Sequence, residues 1–244
     1  MIKLDATTST NDYAQALLTK GENIAEGTVV IADKQLMGRG QRGNSWVSEP
    51  GLNLTFSIIL YPKFLRPSDQ FELSKAISLG IVSYLRTALP VNLSLISVKW
   101  PNDIYVGDKK VCGILIENLV SGAKLTHSVV GIGLNVNQTQ FSDSLPNPTS
   151  MHLVANSAFD LEQVRKELFG YLDARYLTLR NGAWHKMNKE YAASLYRFGE
   201  MREYQVKGVL MRAQICGIDD IGRLILESES GEKVHCDFKE VVFS

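Results

Sequence analysis

The segment that most restricts what this chain can fold into is Gly38-Arg39-Gly40-Gln41-Arg42-Gly43, followed by NSWVSEPGLNLTFSIIL. Gly38, Gly40 and Gly43 match the G-x-G-x-x-G spacing of a dinucleotide-binding turn. Such a turn needs a strand before it, a helix opening on its last glycine, and an acidic residue about 20 positions on for a ribose hydroxyl. The strand is available at 28–33 (TVVIAD), but Pro50-Gly51 and an apolar β run at 53–60 stand where the helix should be. The chain reads LYPKFLRP where the acid is required. Protein kinases place similar glycines between two strands, yet no catalytic-loop or metal-loop signature follows here. Nicotinamide and flavin chemistry is therefore excluded, and a glycine-rich loop between two strands is what remains.

The rest of the pattern is mixed. Ser9 and Asp12 have capping-box spacing ahead of Ala14, Leu17 and Leu18, which predicts a helix to about Lys20 with Gly21 as its stop. Helical periodicity recurs at 74–89, ending before Pro90, at 160–181, and from 184 to about 195. Strands are expected at 95–100, 104–106, 111–119 and 125–136, with turns at Gly107-Asp108 and Gly122. After 195 the chain changes to short alternating runs split by Asp219-Asp220, Gly222 and Ser230-Gly231. The expected fold class is α+β: a mixed sheet flanked by helices in residues 1–194, and a small C-terminal antiparallel β-barrel in residues 195–244.

Composition narrows the function classes. Lys+Arg and Asp+Glu are both 26, and this balance argues against a general coat for nucleic-acid phosphates. No apolar run approaches the roughly 18 residues of a membrane span, and the N-terminus lacks a signal-peptide layout. A cytoplasmic protein is expected. Cys112, Cys216 and Cys236 fit neither a disulfide framework nor a metal spacing, and the four histidines are as scattered.

Polar groups gather at strand ends. Arg39 and Arg42 can grip carboxylate or phosphate through paired hydrogen bonds. Lys99-Trp100-Pro101-Asn102-Asp103 closes a strand with a cation, an amide and a carboxylate, a set able to hold Mg²⁺ against phosphates or simply to make a turn. Lys110 precedes a strand interrupted by Gly113, which suggests close approach by a ligand. Gly131, Gly133, Asn135 and Asn137 mark another strand end. Together these point to one cleft for an anionic substrate.

The ordered set STN (9–11), Q-x-x-GRGQRG-x-x-W (35–46), KWPND (99–103), K-x-x-GIL-x-E (110–117) and G-x-G-x-N-x-N (131–137) resembles the biotin protein ligases, also called biotin–[acetyl-CoA carboxylase] ligases. The resemblance implies that biotin and MgATP form biotinyl-5′-AMP, from which biotin passes to one lysine of a biotin carboxyl carrier domain. It implies biotin-binding roles for Ser9, Thr10, Asn11, Gln35, Gly38, Arg39, Gly40, Gln41, Lys110 and Gly113. ATP-binding roles fall to Arg39, Arg42, Trp46, Lys99, Asn102, Lys110, Gly133 and Asn135, with Trp46 against the adenine. Arg39, Lys110 and Asp103 would carry the chemistry, with Asp103 also a candidate for Mg²⁺. Many members have arginine where this chain has Gln41, which puts more of the anion binding on Arg39 and Lys110. Some carry an N-terminal helix-turn-helix domain; with STN at residue 9, no operator binding is expected here. A homodimer through exposed β-edges is compatible with the pattern. The alternatives are a lipoate or octanoate ligase of the same fold, whose signatures differ from GRGQRG and KWPND, and a non-enzymatic small-anion binding module.

Overall fold

The computed structural model describes residues 1–20 and 23–243, so the expected helix stop at Gly21, and likewise the Arg42 side chain, lies outside what is described. The first sheet is built from β1 (Ile2–Thr7), β2 (Thr28–Gln35), β3 (Leu54–Leu60), β4 (Ile96–Lys99), β5 (Asp103–Val106), β6 (Lys109–Ser121) and β7 (Lys124–Leu134). Its order is β1-β2-β3-β7-β6-β5-β4, with β1 and β2 parallel and every other pair antiparallel. The sheet is therefore mixed, as expected. β1 went unread in the sequence because Lys3 and Asp5 alternate with its apolar residues on an edge strand that remains partly exposed.

Register gives the sheet two unlike faces, since side chains alternate along each strand. One cross-strand row reads Ile31, Phe56, Ile132, Ile114, and the next on the same face reads Val29, Ile58, Val130, Ile116. That face is covered by α2 (Phe71–Ala88), on which α4 (Leu161–Arg180) and α5 (Trp184–Ala193) pack. α2 is buried on nearly all sides, which explains its apolar composition. It begins three residues before the expected position and ends at Leu89, whose extended backbone is what a following proline demands. A short α3 (Met151–Ala155), capped by Ser150 Oγ, follows the long loop after β7.

The opposite face carries the row Ala32, Thr55, Gly133, Gly113, then Val30, Ser57, Gly131, Leu115. At Val30 and, beyond these rows, at Ile59 and Val129 it becomes bulky enough to seat Ala14 and Leu17 of α1 (Thr10–Thr19). Ser9 does occupy the N-cap of α1, but its side chain makes no capping bond; the expected capping box is not formed.

The C-terminal unit is corrected by the structure. β8 (Arg202–Val206), β9 (Val209–Ile218), β10 (Leu224–Ser228), β11 (Lys233–Cys236) and β12 (Val241–Phe243) form an antiparallel sheet in the order β11-β10-β9-β8-β12, not a closed barrel. Closure is unnecessary because its inner face packs on the first sheet's helices: Tyr204, Ile215, Leu224, Leu226 and Cys236 belong to the same core cluster as Phe71, Leu79 and Trp100. The Trp100 indole N–H donates to the Gly222 carbonyl at 2.9 Å, and Phe238 stacks against both Trp100 and Phe71. No helix among the described residues is long and apolar enough to cross a membrane.

Candidate functional site

The glycine-bearing face of the first sheet is open beside the N-terminal end of α1, and a cavity of about 120 Å³ occupies the opening. Ser9, Thr10, Asn11, Gln35, Arg39, Gly40, Gln41, Trp46, Asn102, Asp103, Lys110, Gly113 and Gly133 all line it. Residues spread over more than 120 positions of sequence are thus brought to one place. A second hollow of about 430 Å³, lined by Lys99, Tyr105, Asn135 and Pro146 among others, continues from it and shares Trp46, Asp103 and Lys110. Lys99 and Asn135 belong to this extension and not to the first cavity.

One end of the cavity is neutral, buried and tightly bonded. The Thr10 backbone N–H and hydroxyl both donate to Gln35 Oε1, at 2.8 and 3.2 Å. Ser57 Oγ lies 2.7 Å from Thr10 Oγ1 and 2.6 Å from Asn11 Oδ1. Asn11 Nδ2 donates to Glu117 Oε2 at 2.8 Å. Ser9, Thr10, Asn11 and Ser57 are all buried, so this net fixes its donors and acceptors before any ligand arrives. Gly131 is required here: a Cβ on it would stand 2.3 Å from Asn11 Oδ1.

The other end is charged. Arg39 reaches Asp12 Oδ1 at 2.5 Å and Glu117 Oε1 at 2.6 Å. Burial works to lower the guanidinium's pKa, but the hydrogen bonds to Glu117 and Asp12 outweigh it and the value is raised. Lys110 Nζ pairs with Asp103 Oδ1 at 2.7 Å and lies 5.6 Å from the centre of the Trp46 ring. The indole rests on the bare backbone of β6 and β7, where a Cβ on Gly133 would fall 2.2 Å from the ring; its own N–H is buried without a partner. The close neighbour expected for Gly113 is thus Trp46. Lys99 is wedged 5.0 Å from the rings of both Tyr105 and Phe243, and burial lowers its pKa. Burial likewise raises Tyr105 to about 12.

The loop that opened the sequence reading folds back on itself. Trp46 N–H donates to the buried Gly38 carbonyl at 2.8 Å and Gly40 N–H to Asn44 O at 2.7 Å, around a single 3₁₀ turn at Gln41–Gly43. Asn102 Nδ2 is committed to Ile114 O at 2.7 Å, which ties KWPND to β6. Asn135 Nδ2 donates to Thr149 O at 2.9 Å, while its Oδ1 is buried and unpaired.

The model of the biotin/lipoate A/B protein ligase family matches residues 4–135, more than half of the chain and all of this cavity's lining. The chain belongs to that family. The bifunctional ligase/repressor BirA of Bacillus spizizenii is 31% identical over 238 residues, covering 96% of this chain and 71% of its own. The biotin–[acetyl-CoA-carboxylase] ligase of Paracoccus denitrificans is 28% identical, with 95% of each chain covered. Among solved structures, the biotin protein ligase of Aquifex aeolicus in complex with biotin and ATP superposes with a TM-score of 0.77 at 24% identity, covering 100% of this chain and 97% of that one. These are biotin ligases and not lipoate ligases, so within the family the lipoate reading is not favoured.

Several residues that hold this cavity's lining in place escaped the sequence reading. Ser57 sits inside an apolar strand and acquires its place only through cross-strand register with Gly131. Asp12 had been assigned to a helix cap and instead meets Arg39. Glu117 ends the quoted K-x-x-GIL-x-E motif without a role and is the partner of Asn11 and Arg39; its same-face spacing from Gly113 and Leu115 was a usable signal.

Proposed function

We propose that this chain is a biotin protein ligase that activates biotin with MgATP to biotinyl-5′-AMP and transfers it to a lysine of a biotin carboxyl carrier domain. One observation carries the reading: a single cavity joins a buried, neutral hydrogen-bond net to a cationic end at Arg39 and Lys110. A ureido ring offers N–H donors and a carbonyl acceptor, and the net of Thr10, Asn11, Gln35 and Ser57, with the buried Ser9 beside it, supplies their complements. The valeryl tail would cross the cavity from this net toward its charged end. Its carboxylate would then meet Arg39 and Lys110.

Forming the mixed anhydride brings a carboxylate against a triphosphate, so the task is chiefly positioning and charge neutralisation. Lys110 and Arg39 are each held by carboxylates in this structure. Exchanging those partners for substrate anions would orient the loop without a net change of charge pairing. Trp46, Lys99 and Asn135 line the extension in which the nucleotide would lie. Among the described residues no group of three or more His, Cys, Asp or Glu side chains is placed to hold a metal. Asp103, whose Oδ1 has no hydrogen-bond donor apart from its charge contact with Lys110, fits a Mg²⁺ that takes most of its ligands from phosphates and water. Such an ion would offset phosphate charge. Asp103 is also the proposed base for the acceptor amine.

In this reading residues 1–194 bind both substrates, and residues 195–244 buttress the KWPND turn through Trp100. The setting is cytoplasmic, and a homodimer along a free β-edge is part of the proposal. The test is a biotin-dependent ATP–pyrophosphate exchange assay together with mass spectrometry of a carrier domain. Exchange and a mass gain with biotin are expected; a gain with lipoate alone, or ligand binding without exchange, would overturn the assignment.

A further inference from the structure

A further cavity of about 170 Å³ lies between α2, β6 and the C-terminal sheet. It shares Gln41, Asn102, Ile114 and Leu115 with the cavity that holds the reactive centre. Its walls come from Phe71, Ser74 and Ser78 of α2, Ile116 of β6, and Phe238. At its outer end Asn118 Nδ2 donates to the exposed Gln70 at 2.9 Å, and Ile221 is 57% exposed. Its inner end is Asn102, whose neighbour Asp103 faces the site. None of the described lining residues is Asp, Glu, Lys, Arg or His. Ser78 Oγ is fully buried there with no hydrogen-bond partner.

We propose that this cavity is the passage through which the acceptor lysine side chain reaches the activated acyl carbon; the proposal rests on the ligase reading above. A hollow of about 150 Å³ admits benzene, so this one has room for a four-methylene stem. The nucleophile must be the neutral amine, and lysine in water is an ammonium ion. An uncharged, desolvating wall favours the neutral form, whereas an acidic wall would hold the cation and a basic one would repel it. Phe71 and Phe238 cover the methylenes, as apolar surfaces do for lysine stems generally. Ser78 Oγ offers the amine an acceptor inside the passage. In the transfer step the ε-nitrogen forms a bond to the acyl carbon. The acyl C–O bond to phosphate breaks, AMP leaves with that electron pair, and the nitrogen's surplus proton passes to the Asp103 carboxylate.

Ser74 lines only this cavity, so Ser74→Phe plugs it without touching the first. Biotin-dependent pyrophosphate exchange should stay within about twofold, while single-turnover transfer from bound biotinyl-AMP to the carrier domain falls about tenfold or more, in kcat and not in carrier KM. Trapping of the intermediate by free hydroxylamine, which needs no long passage, should be unchanged. Should Ser74→Phe lower the thermal midpoint appreciably, Gln70→Trp blocks the outer end from an exposed position and is read in the same way. Transfer at the unaltered rate in a folded variant, or exchange and transfer falling together, overturns the passage. Absence of exchange in the unaltered protein would instead overturn the ligase reading, so the two failures are distinguishable.

Discussion

The two faces of the seven-stranded sheet are made by the same strands and yet serve opposite ends. On one face, rows such as Ile31-Phe56-Ile132-Ile114 join α2 and α4 in one apolar core. On the other, the interleaved row Ala32-Thr55-Gly133-Gly113 is stripped to small groups, and Trp46 with the polar net takes the space. Alternation lets one strand, β7, hold stability at Ile132 and the seat of the cavity's Trp46 at Gly133 in adjacent positions. The prediction is that stability and activity separate by parity of position.

Phe56→Ala tests the packed face. Phe56 is fully buried and meets Phe169 edge-on at 5.0 Å, so truncation should cost about 3–5 kcal/mol in urea unfolding. The fraction still folded should keep its pyrophosphate exchange; loss of exchange per folded molecule would show that the faces are not independent. Gly133→Val tests the other face. The added side chain would overlap the Trp46 ring, and exchange should fall about 100-fold, equivalent to roughly 2.7 kcal/mol of barrier. Its unfolding midpoint should move far less than that of Phe56→Ala. A Gly133→Val protein that loses stability and keeps activity would invert the comparison.

How far this division was readable in the chain depends on where the information lies. Gly113, Gly131 and Gly133 announce bare backbone wherever they fall, and the 53–60 run announces a strand. Which of its residues face the site does not follow from NLTFSIIL, because Ser57 meets Asn11 only through a register set by three other strands. The same non-locality hid the pairing of Arg39 with Asp12 and Glu117, 27 and 78 positions away. It also produced the expected barrel: short alternating strands look alike whether or not the first and last pair, and here the main domain covers the face that closure would have covered.

Within the open face, a charged and an uncharged residue of the glycine-rich loop can be set against each other. The Arg39 side chain holds two carboxylates, whereas the Gln41 side chain carries no charge; the hydrogen bond Gln41 accepts, from Asn44 N–H at 3.3 Å, goes to its backbone carbonyl and survives truncation. Arg39→Ala should therefore speed release of biotinyl-AMP by about tenfold, and Gln41→Ala by no more than about threefold, since charge-assisted bonds are roughly twice as strong as neutral ones. Measured as the decay of the isolated enzyme–intermediate complex, equal rates for the two variants would show that loop contact alone retains the intermediate.

The smallest effect lies outside both faces, on the C-terminal sheet, and serves as their control. Burial alone would raise the Asp219 pKa, but hydrogen bonds from His235 and from the Arg223 backbone and side chain hold it down at about 2. An unfolded aspartate titrates near about 3.9. The folded value is depressed, so this carboxylate contributes stability that is present above about pH 4 and is lost as pH falls toward 2. Asp219→Asn should lower stability at neutral pH by about 1 kcal/mol, the partners being partly exposed and screened, and should flatten the acid limb of a stability–pH curve between pH 4 and 2. Exchange activity at neutral pH should be unaffected; if it falls with the acid limb, the C-terminal sheet is coupled to the glycine face, and not only to the packed one.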